Sequence, residues 1–153
     1  MNRYIFLLLA GFCFVVWSVL PVSAEWEFTK WGMSPEQVIQ ASKGQAHPPG
    51  TKDIPSVLLT QDWESGRFLF VVSYFFEKGA TGQVLTRIKL ELKNTELKSE
   101  VLADLKRKYG PPRGELKGHI SGPYWEYQGD DINYLTDQEA VTIHYAPVVS
   151  KGR

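Results

Sequence analysis

Side chains that commonly carry chemistry are sparse in this sequence of 153 residues. Its three histidines, His47, His119 and His144, lie far apart and in none of the spacings that bind transition metals. The sequence also contains no G-x-S-x-G nucleophile motif, no phosphate-binding glycine loop and no HExxH pair. We therefore predict no metal, no cofactor and no catalytic residue, and we expect that the protein is not an enzyme.

Carboxylates are the remaining side chains with catalytic potential. Asp62 and Glu64 lie on either side of Trp63, and Glu126 lies between two aromatic residues. Glycosidases use two such acids, about 5–5.5 Å apart in retaining enzymes and about 6.5–9.5 Å apart in inverting ones. A small secreted hydrolase that pairs Glu126 with Asp62 or Glu64 is therefore the alternative hypothesis for function.

Polar side chains that alternate along the predicted strands favour a binding function over hydrolysis. In the segment QVLTRIKLELK, residues 83–93, polar and apolar residues alternate, so Arg87, Lys89 and Glu91 share the solvent face of a strand. His144 falls between apolar residues of a later segment and is also predicted on the solvent face. An antiparallel sheet that is covered on one side only leaves such a face open.

The irregular stretch 45–55 is the predicted loop best suited to binding. Its prolines exclude a helix and a central strand, and they stiffen a long connection that could present His47, Lys52 or Asp53. A stiff spacer without a binding role is the alternative. The predicted contact surface consists of His47, Lys52, Arg87, Lys89, Glu91 and His144.

The most clearly marked element is the segment NTELKSEVLADLKRKYGPP, residues 94–112. Its apolar residues form one stripe of a helix that is expected to cover a sheet. Asn94 or Thr95 is predicted to cap the start, and Gly110 with the prolines after it ends the helix near Tyr109. The apolar stripe comprises Leu97, Val101, Leu102, Leu105 and Tyr109.

An earlier helix begins at a capping box. Ser34 is the predicted N-cap, Pro35 the first helical residue and Gln37 the reciprocal partner, with the helix running to about Ser42. Before it, the alternation of residues 25–28 predicts a short strand or extended arm whose Trp26 and Phe28 pack on the sheet. An exposed aromatic platform for a ligand is the alternative.

The strand pattern sets the fold class. Period-two or apolar segments predict strands at 57–63, 67–77, 83–93, 124–128, 132–135 and 140–146, with a polar loop at 113–122. The prediction is an α+β two-layer domain, in which two helices pack on one face of a curved antiparallel sheet of about six strands, in the order α-βββ-α-βββ. In residues 83–93 the core face should carry Val84, Thr86, Ile88, Leu90 and Leu92. The predicted core is Val38, Phe70, Val72, Ile88, Leu90, Val101, Leu105, Trp125 and Ile143.

The first residues resemble a signal peptide. Arg3 precedes an apolar run, and Val22-Ser23-Ala24 fits a signal-peptidase site, so cleavage is expected after Ala24. The alternative is a retained anchor, because about 17 apolar residues reach the lower limit of a membrane span. We predict a signal peptide at 1–24, one domain at 25–146 and a tail at 147–153.

Composition narrows the class of partner. Lys and Arg number 17 and Asp and Glu number 17, which argues against electrostatic capture of nucleic acid or an anionic membrane. Cleavage would also remove the single cysteine, Cys13, and a disulfide-free exported domain suits a bacterial envelope.

Two stretches carry a family resemblance. Residues 32–38, GMSPEQV, resemble the G-M-[ST]-x-x-Q-V helix start of the small lipoprotein of the outer-membrane β-barrel assembly machinery, whose fold is shared by the β-lactamase-inhibitor proteins. Residues 109–112, YGPP, followed by 124–127, YWEY, are similar to its G-x-P helix end and aromatic strands, although here they follow the second helix. Cys13 does not stand in a lipobox. The resemblance implies a non-enzymatic envelope domain that works through protein contacts on its sheet.

These observations lead to one functional expectation. The protein is predicted to be an exported, non-enzymatic binding or assembly module of the bacterial cell envelope, periplasmic or extracellular. Its partner is expected to be another envelope protein, with no nucleic acid bound and no membrane span after cleavage.

Overall fold

The computed structural model describes residues 26–50, 57–137 and 140–148. The predicted signal peptide and Lys52 lie outside these residues. No helix of the described part is long and apolar enough to cross a bilayer. The elements are α1 (Pro35–Ala41), β1 (Val57–Ser65), β2 (Phe68–Gly79), β3 (Gly82–Leu92), a 3-10 turn (Thr95–Leu97), α2 (Lys98–Tyr109), β4 (Gly114–Leu116), β5 (Gly122–Tyr127), β6 (Asp130–Thr136) and β7 (Val141–Pro147).

The seven strands form one antiparallel sheet in the order β1-β2-β3-β7-β6-β5-β4. Each half of the chain contributes a meander, and the halves join where β3 pairs with β7, with Leu90 opposite Ile143. The predicted α+β class and the repeat of a helix followed by a meander are confirmed. β7 runs through Pro147, one residue into the predicted tail.

β4 is the strand that the sequence did not predict. It lies in the expected loop 113–122 and pairs with β5, with Gly114 opposite Tyr124. A Cβ on Gly114 would lie 2.6 Å from Cε1 of Tyr124, so the ring lies directly over the glycine. A strand of three residues is too short to show a period of its own, and pairing with β5 defines it.

Both helices pack on the same face of the sheet, which we call the covered face. α2 is held there by the Tyr134 hydroxyl, which donates to the Lys98 carbonyl (2.9 Å), and by the Trp125 indole, which donates to the Gly110 carbonyl (3.0 Å). The segment before α1 is bonded to β3, since the Leu85 amide donates to the Met33 carbonyl (2.8 Å). All nine predicted core residues are buried: Val38, Phe70, Val72, Ile88, Leu90, Val101, Leu105, Trp125 and Ile143.

The prediction of which β3 residues face the core is wrong at the start of the strand. Phe75 pairs with Arg87 while Phe76 pairs with Leu85, so Thr86 is an extra residue in a β-bulge. A bulge shifts the alternation by one, which buries Leu85 instead of Val84. After the bulge the predicted inward residues are buried.

The predicted N-terminal cap is correct for α1 and wrong for α2. At α1 the capping box is present: the Gln37 amide donates to Ser34 Oγ (3.3 Å), and the Ser34 amide donates to Gln37 Oε1 (2.8 Å). At α2 a 3-10 turn leads into the helix without a side-chain cap. Asn94 instead accepts from the Leu69 amide (3.0 Å) and donates to the Arg67 carbonyl (2.8 Å).

The expected strand before α1 is a turn. Glu27 has a φ of 54°, and the Thr29 amide donates to the Trp26 carbonyl (2.9 Å). Trp26 is nevertheless buried, and its ring packs edge-on against Trp63 with centroids 5.1 Å apart. The predicted packing of Trp26 on the sheet is confirmed.

Candidate contact surface

The face of the sheet opposite the helices, here called the open face, carries a continuous line of paired polar residues. Lys89 of β3 pairs with Ser73 of β2 on one side and with His144 of β7 on the other. Cross-strand partners share a face, so the pairs align their side chains in one row. We call this the polar row: His47, Thr60, Ser73, Lys89, His144, Asn133 and Tyr124.

His47 joins the polar row through its backbone. The His47 amide donates to the Thr60 carbonyl (2.9 Å), and the Thr60 amide donates to the His47 carbonyl (2.8 Å). This bridge fixes the histidine beside β1, so the loop contributes to the same face as the strands. At about 4.8 Å between neighbouring strands, the row spans roughly 29 Å.

The centre of the open face is positively charged. Arg87 lies over the Phe75 ring at 4.1 Å from its centroid, and Lys89 Nζ lies 3.2 Å from Glu91 Oε2. Burial lowers the pKa of the half-buried His144, and the charges of Arg87 and Lys89 lower it further. Both effects favour the uncharged imidazole, beside two cations.

Several polar groups of the row are available to a partner. The side chains of Ser73, His144 and Asn133 make no hydrogen bond to any residue in the described ranges. Thr60 differs, because its hydroxyl donates to the Val72 carbonyl (2.9 Å). The arrangement supplies donors and acceptors at strand spacing, which suits recognition of another polar surface.

The structure brings together five of the six residues predicted for contact, namely His47, Arg87, Lys89, Glu91 and His144, on the open face. Sequence reasoning missed Thr60, Ser73, Asn133 and Tyr124. The short turn between Ser65 and Phe68 sets the β1–β2 register, so it was a signal that could have placed Ser73 beside Thr60. Nothing comparable in the sequence aligns β3 with β7.

The carboxylates proposed for hydrolysis do not meet. Glu126 lies on β5, whereas Asp62 and Glu64 lie on β1, five steps away in the sheet order. At about 4.8 Å per step the separation is roughly 24 Å, well beyond either glycosidase geometry. Glu126 forms an ion pair with Arg113 and its side chain is 38% exposed. The proposed pairs therefore lack the geometry that the hydrolase hypothesis requires.

The other acids near Glu126 do not converge either. Asp131 lies opposite Glu126 on the open face, but the adjacent Asp130 turns to the covered face, where it accepts from the Trp31 indole (2.6 Å). Burial raises the pKa of Asp130, and the Trp31 bond opposes that effect. Within the described ranges, no three His, Cys, Asp or Glu side chains are grouped to hold a metal ion.

The covered face contains a concave feature, here called the aromatic cleft. Its volume is about 420 Å³, within the range of ligand-sized cavities, and it lies between α2 and the β1–β2 side of the sheet. The charged residues of its lining are Glu27, Asp104, Arg107 and Lys108. The main apolar lining consists of Trp26, Trp63, Phe68, Phe70, Val101 and Leu105.

Comparison with known proteins adds little to this description. No protein family and no curated protein matches the chain. The chain is similar to the crystal structure of a DUF4309 family protein (YjgB) from Bacillus subtilis, with 10% sequence identity and a TM-score of 0.49. The similarity covers 74% of this chain and 78% of that chain.

Proposed function

We propose that this protein is an exported, non-enzymatic binding or assembly module of the bacterial cell envelope, and that another envelope protein binds its open face. The polar row is the observation that carries the proposal. It crosses six strands of the sheet, and among the described residues no helix lies above it, because α1 and α2 both pack on the covered face.

The chemistry of the open face favours an acidic protein surface as the ligand. Arg87 stacks on Phe75 and keeps its guanidinium exposed, and Lys89 lies beside the unpaired groups of His144. Arginine and aromatic residues are enriched where interfaces gain most of their energy. The resemblance to the β-barrel assembly lipoprotein supports the same mode of binding, because the resemblance implies protein contacts through the sheet.

Export rests on the sequence of the first 24 residues. Mass spectrometry of the native protein should find Glu25 at the N-terminus, in a periplasmic or extracellular fraction. An intact N-terminus in a membrane fraction would show instead that residues 1–24 are retained as an anchor.

The binding surface is tested by affinity capture from the native envelope with the tagged full chain. The double variant Arg87→Glu/Lys89→Glu should lose the partner that the wild type recovers, because reversed charge repels an acidic surface. Lys43→Glu/Lys106→Glu is the matched control, since it makes the same charge change at exposed positions after α1 and on α2.

The control should retain the partner. Equal recovery of the partner by the wild type and both double variants would show that the open face does not bind it. Recovery of no partner by the wild type, from an envelope in which the chain is expressed at its native level, would count against the binding role itself. Hydrolysis of a panel of glycoside substrates by purified chain would overturn the non-enzymatic assignment.

A further inference from the structure

Among the described residues, β1 forms one edge of the sheet and leaves part of its backbone unpaired. Thr60 directs both its N–H and its C=O outward, where they bond to His47. Every second residue of an antiparallel strand points the same way, so Asp62 and Glu64 also direct their N–H and C=O groups to this edge. Within the described residues, nothing bonds to those four groups.

One residue from elsewhere in the chain already pairs with this edge. His47 adds to β1 as a one-residue antiparallel bridge. The pairing then stops, because the preceding residue, Ala46, bends away and its amide donates to Ser42 Oγ (2.9 Å). The remainder of the edge, from Asp62 to Ser65, continues beyond the bridge.

The side chains along this edge differ by face. Asp62 and Glu64 lie on the open face and are exposed, with the Asp62 side chain 77% accessible. Lys93 Nζ lies 3.3 Å from Asp62 Oδ1, whereas Glu64 makes no ion pair within the described part of the chain. Trp63, between the two acids, turns to the covered face and lines the aromatic cleft.

We propose that the Asp62–Glu64 edge of β1 binds an extended segment of a partner protein by strand addition, and that this segment carries two basic residues flanking one apolar residue. Partner residues opposite Asp62 and Glu64 share the open face, where Lys or Arg meets the carboxylates. The residue opposite Trp63 shares the covered face, where an apolar side chain packs beside Trp63 at the aromatic cleft. Backbone bonds supply affinity and the alternating side chains supply selectivity.

Charge argues against a second copy of this chain as the occupant. Two β1 edges paired about a twofold axis would bring Asp62 and Glu64 of one copy against the same acids of the other. Like charges across strands are destabilising, and charged edges are a common defence against such pairing. The site lies on β1, two strands away from Arg87 and Lys89 on β3, and it does not rest on the open-face contact proposed above.

The test uses synthetic peptides and the purified chain. One peptide has the sequence Thr-Val-Arg-Phe-Arg-Val-Thr and the other replaces both arginines with glutamate. Calorimetry should show that the arginine peptide binds about tenfold more tightly, because two exposed attractions become repulsions. Replacing its phenylalanine with alanine should also weaken binding, with a smaller change in tryptophan fluorescence.

The matched protein variant is Asp62→Lys/Glu64→Lys, at two exposed positions whose replacement leaves the core intact. It should reverse the preference and bind the glutamate peptide more tightly, with an unchanged circular dichroism spectrum. Arg87→Glu/Lys89→Glu should leave arginine-peptide binding within twofold, which separates this site from the open-face contact.

Backbone pairing is tested with two N-methylated versions of the arginine peptide. Methylation of one alternate set of amides should abolish binding and methylation of the other set should not, because only one set faces β1. The proposal would be overturned if methylation of the two sets of amides had equal effects. It would also be overturned if the lysine variant did not reverse the peptide preference, or if neither peptide bound. A dimer in sedimentation that Asp62→Lys/Glu64→Lys alters would assign the edge to a second copy and would overturn it too.

Discussion

On β2, Val72 is fully buried beneath the helices, whereas its neighbours Val71 and Ser73 lie half-exposed on the open face. The same alternation runs through β3, where Leu90 is buried between Lys89 and Glu91. Burial of the covered face supplies the hydrophobic stabilisation, at about 25 cal/mol per Å² of apolar surface. The open face contributes less to stability, so its side chains are free to be selected for contact.

Each face also has an exception. On the covered face Gln61 is 1% exposed, yet its side-chain amide has no hydrogen-bond partner among the described residues, and the Tyr74 hydroxyl has none either. On the open face the large apolar ring of Phe75 lies beneath the Arg87 guanidinium, 4.1 Å from it, and supports this cation. We therefore expect apolar substitutions to favour stability on the covered face and polar substitutions to oppose it there. On the open face the preference should be reversed.

The largest effect is expected from Leu105→Ala on α2. Removing this buried side chain should lower the free energy of unfolding by about 2–5 kcal/mol, measured by urea denaturation. Leu69→Ala is the control on the open face, where Leu69 is 38% exposed, and it should cost less than half as much. A loss under about 0.5 kcal/mol for Leu105→Ala would show that α2 does not stabilise the sheet as described.

The second-largest effect is expected to be a gain in stability. Gln61→Leu should raise the free energy of unfolding by about 1–3 kcal/mol, because an apolar side chain of similar size removes an unpaired buried amide. Gln61→Glu should instead be strongly destabilising, since it buries a charge. If Gln61→Leu lowers stability, the amide is satisfied in solution and the covered face has no such defect.

A smaller, pH-dependent effect is expected at His144. Its pKa is lowered in the fold by burial and by Arg87 and Lys89, so the unfolded chain binds the proton more readily. Stability should therefore fall as the pH drops through about 6.5 toward the lower folded pKa, and level off below it.

Urea denaturation at about pH 7.5 and pH 5.5 measures this effect, and the His144→Asn variant should lose less stability on acidification than the wild type. The raised pKa of Asp130 acts in the opposite sense, because the fold then binds the proton more readily. That contribution is common to both proteins and cancels in the comparison. Equal losses in the two proteins would contradict the assignment.

The smallest change in stability is expected for the charge reversals that should abolish contact. Arg87→Glu/Lys89→Glu should alter the free energy of unfolding by less than about 0.5 kcal/mol per site, since both side chains lie outside the core. A much larger loss would mean that the open face also stabilises the fold, and the capture experiment would then need a milder Arg87→Gln/Lys89→Gln pair.

Local physics determined much of this protein from the sequence. The capping box at Ser34, the end of α2 before Gly110 and the predicted core depend on residues close in the chain or on a repeating period. Two strand meanders and their covering helices follow from the same signals. These features were predicted because each has its cause within a few residues.

Only the tertiary structure decided how the two halves of the chain meet. The pairing of Lys89 with His144, the bulge at Thr86, the short strand β4 and the bonds of Asn94 to the β1–β2 hairpin all join residues distant in sequence or depend on a neighbouring strand. A shift of one residue between β3 and β7 would turn His144 to the covered face without changing any local pattern. The sequence therefore determined which residues are polar on each strand, whereas the register between the halves placed them in one row.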